Sequence, residues 1–314
     1  MIDCVYIHTD NDFWEWVEPM PEFYEYNGMI FKPIWDKNGY VNKYVTTDEY
    51  GLRHTITSKE YTLRNSLHKV HSKILGGFGN HSDFSYSDLI KVVELLEVKY
   101  SLNLEKTFIR ELEIGVNVEV EYDPMEYINL IRDFKLKKLP KAMLEKNDRY
   151  GYKFFTSDYD IKVYDKSDQI NKKYNVALNT NLLRYEIVLR KPKLKNIDLF
   201  TLSDLLVKDK FWGLVSLLNL MFSEIQFQKK FNLTILDISE LELYLSGANR
   251  EYWKNLPLCS SPATASRRRK NYKEVISKLQ AHQPSSNSLI RELRKKANKK
   301  TYELSIEVPT SNKL

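Results

Sequence analysis

Two neighbouring stretches of the sequence decide the fold, Asp160-Ile-Lys-Val-Tyr-Asp-Lys166 and Leu182-Leu-Arg-Tyr-Glu-Ile-Val-Leu-Arg190. Polar and apolar residues alternate in the first stretch up to Tyr164, which predicts a half-buried strand. This strand is expected to end at the polar residues 165–168. The second stretch is strand-like over its whole length. Tyr164 therefore lies at a strand end, and Lys166 follows it by two residues.

The side chains of these two strands allow two interpretations. On the second strand, Arg184, Glu186 and Val188 share one face. A tyrosine and a lysine at one strand end, with the carboxylate of Glu186 in the middle of the next strand, can form a metal-assisted tyrosine nucleophile. The simpler interpretation is a tyrosine that packs against a sheet edge and an arginine–glutamate cross-strand pair. The pattern alone favours the simpler interpretation.

The composition is that of a globular protein. The chain has 314 residues, of which 42% are hydrophobic and 29% are charged, and this length predicts one large or two medium domains. Its two cysteines, Cys4 and Cys259, give neither a disulfide framework nor a metal-knuckle spacing, which favours a reducing compartment. Because the sequence has no signal-peptide pattern and no 18-residue apolar run, we expect a cytoplasmic protein without membrane contact.

Charge is distributed unevenly along the chain. Residues 1–60, which include the acidic and aromatic run Phe13–Tyr26, carry 11 acidic and 5 basic residues, a net of −6. Residues 251–300 carry 13 basic and 3 acidic residues, a net of +10. A strongly basic C-terminal segment indicates nucleic acid as a partner. The alternative is a solvated lysine-rich helix that binds nothing.

Hydrophobic periodicity divides the chain into two parts. Up to about residue 192, strand and helix patterns are mixed, and after Pro192 the patterns are helical. The fold class is therefore predicted to be α+β, followed by a helical and basic C-terminal part, with domains at residues 1–192 and 193–314. The predicted elements of the first domain include a strand over 61–75, a helix over 87–100 and a strand over 108–122.

A second helix is predicted to begin at Asp123-Pro124, because aspartate is a good helix cap and proline suits the first helical position. Ile128, Ile131 and Phe134 would form the buried stripe of this helix.

Carboxylates recur on one face of the strand that contains Arg110-Glu-Leu-Glu-Ile-Gly-Val-Asn117. Glu111, Glu113, Gly115 and Asn117 alternate with apolar residues and so share that face. Neighbouring carboxylates repel each other unless a positive group lies between them, and Mg²⁺ or Mn²⁺ takes oxygen ligands. Gly115 would leave room for a phosphate. The alternative is a polar strand that faces solvent.

The sequence also lacks several catalytic motifs. It has no His-x-x-x-His or His-x-His pair, no phosphate-binding glycine-rich motif that ends in Lys-Ser/Thr, and no nucleophilic-serine elbow. The absence of the glycine-rich motif argues against the use of ATP.

Four blocks of the sequence, in this order, resemble the replication initiators of filamentous phages and the related rolling-circle initiators of small phages and plasmids. They are Met1-Ile-Asp3, Ser66-Leu-His-Lys69 with the Gly/Asn-rich loop that leads to Asp83, Glu111-Leu-Glu-Ile-Gly-Val-Asn117, and Val163-Tyr-Asp-Lys166 with Leu182-Leu-Arg-Tyr-Glu186. The chain departs from the broader HUH-endonuclease class because it has no His-hydrophobic-His pair.

The resemblance implies an antiparallel β-sheet flanked by helices and an enzyme that nicks and rejoins DNA. Tyr164 would attack a phosphodiester at a replication origin, remain linked to the 5′ phosphate and leave a 3′ hydroxyl for a polymerase. Lys166 would stabilise the charge that develops, and Glu113, Asn117 and Glu186 would hold Mg²⁺ or Mn²⁺. Tyr152, Tyr159 and Tyr174 are further candidates for the nucleophile.

DNA contacts are expected along the chain, and the residues assigned to them are Lys69, Arg184, Arg267, Arg268, Arg269 and Lys270. The resemblance implies single-stranded or hairpin origin DNA as the substrate, with a host helicase and a polymerase as further partners. A plasmid-mobilisation relaxase would use the same chemistry. The alternative of a different class is a non-catalytic nucleic-acid-binding protein.

Overall fold

Two compact units make up the computed structural model, which describes residues 1–10, 22–26, 28–135, 140–145, 148–228, 233–281 and 286–306. The first unit comprises Met1–Gln226 and Leu293–Leu314, and the second comprises Phe227–Glu292. The run Phe13–Tyr26 lies mostly outside the described residues. The domain boundary that the sequence predicts between residues 192 and 193 stays a prediction.

Eleven strands of the described residues form one antiparallel sheet in the order β2-β3-β4-β5-β6-β1-β7-β12-β11-β10-β9, and β8 pairs with β13 separately. The strands are β1 Ile2–Asp10, β2 Tyr24–Tyr26, β3 Met29–Trp35, β4 Val41–Thr47, β5 Arg53–Ile56, β6 Glu60–Ser66, β7 Phe108–Val120, β8 Ile131–Phe134, β9 Lys141–Glu145, β10 Asp148–Phe155, β11 Tyr159–Asp165, β12 Asn181–Arg190 and β13 Ile225–Phe227.

Helices α1, α5 and α6 pack on strands of this sheet. The α-helices are α1 Leu67–Ile74, α2 Tyr86–Tyr100, α3 Pro124–Ile128, α4 Lys166–Tyr174, α5 Lys191–Asn196, α6 Lys208–Ser223, α7 Ile238–Gly247, α8 Arg250–Cys259, α9 Pro262–Ala281 and α10 Ser286–Ser305. Two short 3-10 helices lie at Ser203–Leu206 and Leu233–Ile235. No helix in the described ranges is long and apolar enough to span a bilayer. The predicted α+β class, with an antiparallel sheet flanked by helices and a helical C-terminal part, is confirmed.

The centre of the sheet has one apolar and one polar face. On β12, Leu183, Tyr185 and Ile187 are buried on the apolar face, where the Tyr185 ring lies 4.7 Å from that of Phe222 in α6. Because successive strand residues point to opposite faces, Glu186 points to the other face together with its neighbour Arg184. The polar face of this central strand therefore carries buried charges that require partners.

Two of the predicted elements end earlier in the structure than the sequence pattern indicated. The predicted strand over 61–75 stops at Ser66, whose hydroxyl caps α1 by accepting a hydrogen bond from the Lys69 amide at 3.1 Å. The helix that begins at Pro124 stops at Ile128, and residues 131–134 form strand β8 instead of the predicted buried stripe. At Ser66, the side-chain cap of α1 thus ends the strand before the hydrophobic periodicity ends.

The second unit is helical and carries the basic cluster at the start of α9. Within this unit, the Trp253 indole N–H donates a hydrogen bond to the Gly247 carbonyl at 2.7 Å, and its ring lies 5.1 Å from that of Tyr272. Lys278 of α9 also donates a 2.6 Å hydrogen bond to Glu240 of α7. These contacts join α7, α8 and α9, and leave Arg267, Arg268, Arg269 and Lys270 exposed on the surface of α9.

Candidate metal and phosphate site

Three carboxylates from three adjacent strands meet on the polar face of the sheet. Asp3 lies on β1, Glu113 on β7 and Glu186 on β12, and one oxygen from each lies within 4.8 Å of the other two. The strand pairing places Glu186 opposite Gly115, where a β-carbon would approach the Glu186 β-carbon to 2.9 Å. Gly115 therefore makes room for Glu186, in the space that the sequence prediction assigned to a phosphate.

Two cations partly neutralise this carboxylate cluster. Lys162 of β11 donates a 2.7 Å hydrogen bond to Glu113 and lies 3.8 Å from Glu186. Arg184 is only 2% exposed, and its guanidinium donates a 2.5 Å hydrogen bond to Asp3 and lies 3.3 Å from Glu186. The sequence placed Arg184 among the DNA-contacting residues, whereas in the structure it is a buried cation within the cluster.

The ionisation of the two glutamates is linked. Burial and the negative charge of Glu186 raise the pKa of Glu113 well above its usual range. Burial also opposes the ionisation of Glu186, but Arg184, a hydrogen bond with Glu113 and Lys162 outweigh it and lower the pKa of Glu186. The pKa values of the two glutamates are thus shifted in opposite directions. A divalent cation would favour the ionised form of both, since closely spaced carboxylate oxygens are the ligands that Mg²⁺ and Mn²⁺ prefer.

Tyr164 lies beside these carboxylates, at the end of β11. Its side chain is 3% exposed, and it lies close to the charged Glu186. Its neighbour on β10 is Gly151, where a β-carbon would approach the Tyr164 β-carbon to 2.4 Å. Burial and the charge of Glu186 raise the pKa of the Tyr164 phenol, so the phenol is protonated at neutral pH and needs a base before it can attack.

Lys166 begins helix α4, and its ammonium group points towards the same cluster. It donates hydrogen bonds to Asn80 at 2.6 Å and to Gln169 at 2.7 Å, and it lies 5.8 Å from the centre of the Tyr164 ring. Burial and the neighbouring charge of Arg184 lower the pKa of Lys166 to about 7. This lysine can therefore hold or release a proton near neutral pH.

Asn117 anchors the loop that precedes α2. Its amide nitrogen donates to the backbone carbonyls of Asn80 and His81 at 3.1 Å each, and its oxygen accepts a 2.8 Å hydrogen bond from Arg184. The Asn80 side chain in turn donates a 2.5 Å hydrogen bond to Asp3. Asn117 was predicted as a metal ligand. In the structure it bonds this loop and Arg184, and the three clustered carboxylates are Asp3, Glu113 and Glu186.

The carboxylate cluster opens into a cavity of about 370 Å³, which we call the carboxylate cavity. Its described lining holds five lysines and three carboxylates, so phosphate would be attracted to its wall. The lysines are Lys69, Lys153, Lys162, Lys166 and Lys173, and the tyrosines are Tyr150, Tyr164 and Tyr174.

Several of the residues predicted from the sequence meet at this cavity. Five of them line it: Lys69, Glu113, Tyr164, Lys166 and Glu186. The other candidate nucleophiles divide, because Tyr174 lines the cavity, whereas Tyr152 and Tyr159 are not among its lining residues. Sequence analysis missed Asp3 as a member of the site. Its only signal is an acidic residue among the apolar residues at the start of the first strand.

Comparisons with known proteins add little to this geometry. No protein-family model matches the chain, and no curated protein matches it. One solved structure that matches is a rolling circle replication initiator protein from Geobacillus stearothermophilus, with 12% sequence identity over 72% of this chain and 84% of that chain, and a TM-score of 0.35. A similarity this low establishes neither family nor activity.

Proposed function

We propose that the protein is a rolling-circle replication initiator that nicks one DNA strand at an origin and rejoins it. The observation that carries this proposal is the carboxylate cavity, where three clustered carboxylates, a tyrosine hydroxyl and five lysines line one space. A phosphodiester needs charge neutralisation and a nucleophile in order to be cleaved, and this cavity offers both.

In this proposal, Asp3, Glu113 and Glu186 hold Mg²⁺ or Mn²⁺. The bound cation would polarise the scissile phosphate and offset the charge on its oxygens. The pKa of Glu113 supports this assignment, because a buried carboxyl that is hard to ionise alone ionises readily beside a divalent cation. Arg184 and Lys162 then keep the three carboxylates in place when the cation is absent.

The nucleophile in this proposal is Tyr164. Its oxygen bonds to phosphorus, the bond from phosphorus to the 3′ oxygen breaks, and the 3′ oxygen takes a proton from solvent and leaves as a free hydroxyl. Glu186, which lies close to Tyr164, would receive the phenol proton. In its charged form, Lys166 stabilises the phenolate and the phosphorane. The reverse reaction rejoins the strand without ATP, because the tyrosyl phosphodiester conserves the bond.

The nucleophile must also be able to reach the phosphate. Tyr164 is nearly buried, whereas Tyr150 lines the same cavity, is only partly buried and presents its ring to Tyr164 at a centroid distance of 5.9 Å. We therefore add Tyr150 to Tyr174 as a candidate for the attacking residue. The burial of Tyr164 also favours the second candidate function, a nucleic-acid-binding protein without catalysis.

The proposed partners follow from the same reaction. Origin DNA in single-stranded or hairpin form is the substrate, and a host helicase and polymerase would use the free 3′ end. The exposed Arg267, Arg268, Arg269 and Lys270 of α9 would add phosphate contacts whose affinity falls as salt rises. A plasmid-mobilisation relaxase would share this chemistry, and the sequence that is nicked separates it from an initiator.

A covalent-adduct assay tests the proposal. The protein is incubated with a random pool of single-stranded oligonucleotides and Mn²⁺, then denatured and analysed for DNA-linked protein on a gel. We expect an adduct that is lost with EDTA and in Tyr164→Phe, but kept in Tyr40→Phe, which changes an exposed tyrosine outside the cavity. An adduct that survives Tyr164→Phe but not Tyr150→Phe or Tyr174→Phe moves the nucleophile. Salt-sensitive binding without any adduct contradicts the enzymatic function.

A further inference from the structure

Three aromatic rings form a rim beside the carboxylate cavity. Phe78 and His81 lie on the loop between α1 and α2, and Tyr174 ends α4. The Phe78 ring centre lies 5.0 Å from that of His81 and 5.1 Å from that of Tyr174. We call these three residues the aromatic rim. Phe78 is 39% exposed, so part of an aromatic side chain faces solvent at its centre.

The loop that carries the aromatic rim is fastened to the sheet. The side-chain amide of Asn117 in β7 donates hydrogen bonds to the backbone carbonyls of Asn80 and His81 in this loop. The Asn80 side chain bonds Asp3 and accepts a hydrogen bond from Lys166. Phe78 is therefore two residues away from a side chain that touches both the carboxylate cluster and Lys166. A ligand on Phe78 would lie close to the reacting groups.

The rim also has positive charge beside its aromatic surface. Tyr174 lines the carboxylate cavity together with Lys173, whose ammonium lies 5.4 Å from the Tyr174 ring centre. Lys69 lines the same cavity from α1. His81 does not add a charge at neutral pH, because burial and the nearby Lys166 lower its pKa. Flat aromatic surface next to lysines matches a nucleobase and its flanking phosphates.

The larger cavity of the first unit does not offer this combination. It has a volume of about 690 Å³, and its described lining contains three lysines and four carboxylates. The lysines are Lys296, Lys299 and Lys300, and the carboxylates are those of Asp83, Glu119, Glu121 and Glu303. Lys300 is paired with Asp83 at 2.7 Å, and Lys299 lies 3.6 Å from Glu303. Phosphates would gain little from entering a space with an excess of negative charge.

We propose that the aromatic rim stacks an unpaired nucleobase of single-stranded DNA and so holds the adjoining phosphate in the carboxylate cavity. This inference rests on the proposed function, because it assigns a substrate contact to the same site. It also gives a reason why the protein would select single-stranded DNA over a duplex. In a duplex both faces of a base are already covered by its neighbours, whereas an unpaired base can place one face on Phe78.

The test measures binding separately from cleavage. Fluorescence anisotropy in EDTA, where nicking is absent, gives the affinity for a labelled dT12 oligonucleotide, for a fully abasic oligonucleotide of the same length, and for a dT12·dA12 duplex. We expect Phe78→Ala to weaken dT12 binding about fivefold to hundredfold. Binding to the abasic oligonucleotide and to the duplex should be the same in Phe78→Ala and wild type, because neither offers an unpaired base.

Three matched variants control this experiment. Phe200→Ala removes a phenylalanine that is 42% exposed near the opposite end of β7, and it should bind dT12 like wild type. Tyr174→Phe keeps the ring but removes a hydroxyl that is itself a candidate nucleophile, so it should retain affinity. Phe78→Trp restores a stacking surface and should recover most of the binding, which separates stacking from a folding defect.

The outcomes separate this inference from the proposed function. Wild-type dT12 affinity in Phe78→Ala overturns the aromatic rim, even where DNA adducts still form. An equal loss of affinity for dT12 and for the abasic oligonucleotide also overturns it, because the loss would not involve a base. Base-dependent binding at Phe78 without any covalent adduct upholds the rim and rejects the nicking function instead.

Discussion

Two buried polar clusters on the same sheet use similar residues but differ in what they leave available. The second cluster contains Asp48, His54, Tyr61 and Tyr100, and His54 is 0% exposed. The Asp48 carboxylate accepts a 2.7 Å hydrogen bond from the Leu52 amide, another from the Tyr100 hydroxyl, and lies 3.3 Å from His54. His54 also bonds the Tyr61 hydroxyl at 2.5 Å. One carboxylate here serves several donors.

In the carboxylate cavity, by contrast, several carboxylates are clustered together. Asp3, Glu113 and Glu186 bring three carboxylates together, and burial with the charge of Glu186 raises the pKa of Glu113. These residues line a cavity, whereas no member of the Asp48–His54 cluster lines either cavity described above. An Asp–His–Tyr combination is therefore not in itself a sign of catalysis. Surplus acceptors with an open path to solvent are the better sign of a functional site.

The largest expected effect is on cleavage. Glu186→Gln removes the negative charge of a proposed metal ligand that lies close to Tyr164, so adduct formation in Mn²⁺ should fall at least about 100-fold. Quantitative gels of adduct yield against time would measure it. Asp48→Asn is the matched control, because it alters the other cluster and should leave the rate per folded molecule unchanged. Full activity in Glu186→Gln would remove the functional difference between the two clusters.

The free energy of unfolding should change in the opposite order, with the larger loss in the Asp48–His54 cluster. Asp48→Ala leaves the Leu52 amide and the Tyr100 hydroxyl buried without their acceptor and should lower the free energy of unfolding by about 2–5 kcal/mol. In EDTA, Glu113→Gln replaces a carboxyl whose ionisation is opposed by burial with an amide that can still accept from Lys162, and should cost less than about 1 kcal/mol. Urea unfolding of both variants makes the comparison. A larger loss in Glu113→Gln would mean that the carboxylate cluster is structural.

Metal binding should depend on pH with a defined sign. Because the pKa of Glu113 is raised, a cation must displace its proton, and affinity should fall as pH falls below that raised pKa. A saturating metal at 100 times its Kd stabilises the folded state by about 2.7 kcal/mol. Calorimetric titration with Mn²⁺ at pH 6, 7 and 8, in two buffers that differ in ionisation enthalpy, should detect proton release. Binding that is independent of pH and releases no proton would contradict the raised pKa of Glu113.

The smallest expected effect concerns Lys166, which has no counterpart in the Asp48–His54 cluster. Burial lowers its pKa to about 7, so its charge is present below pH 7 and is lost as pH rises through that value. Lys166→Arg keeps its charge throughout this range. The ratio of its nicking rate to that of wild type should therefore rise up to about tenfold between pH 6 and pH 8. A constant ratio would show that the charge of Lys166 does not assist the reaction.

Much of this site was predictable because strands alternate with a period of two. That rule places Glu113 and Glu186 on specific faces of their strands, and the end of the alternation places Tyr164 and Lys166 at a strand end. Asp3 escaped prediction because β1 has a register shift between Ile2 and Val5, so simple alternation does not apply there.

Other features of the fold and the site depend on interactions that sequence patterns do not encode. Arg184 has the positive charge expected of a DNA-contacting residue, but its burial among carboxylates follows from the pairing of β12 with β7 and of β7 with β1. Asn117 lies on the expected face, where its amide nitrogen donates to the nearby loop and its oxygen accepts from Arg184. Helix α1 was predicted as strand because a single serine hydroxyl decides where β6 ends.

The position of β1 between β6 and β7 has a consequence for how the protein folds. Asp3 comes from the first few residues, yet its partners in the cluster are Glu113 and Glu186, far along the chain. Contacts of such large sequence separation form late, because long loops must close before the contacts can stabilise anything. During synthesis, the carboxylate cluster is incomplete until β12 has left the ribosome. Acquisition of a metal by this cluster would therefore mark the completion of the central sheet.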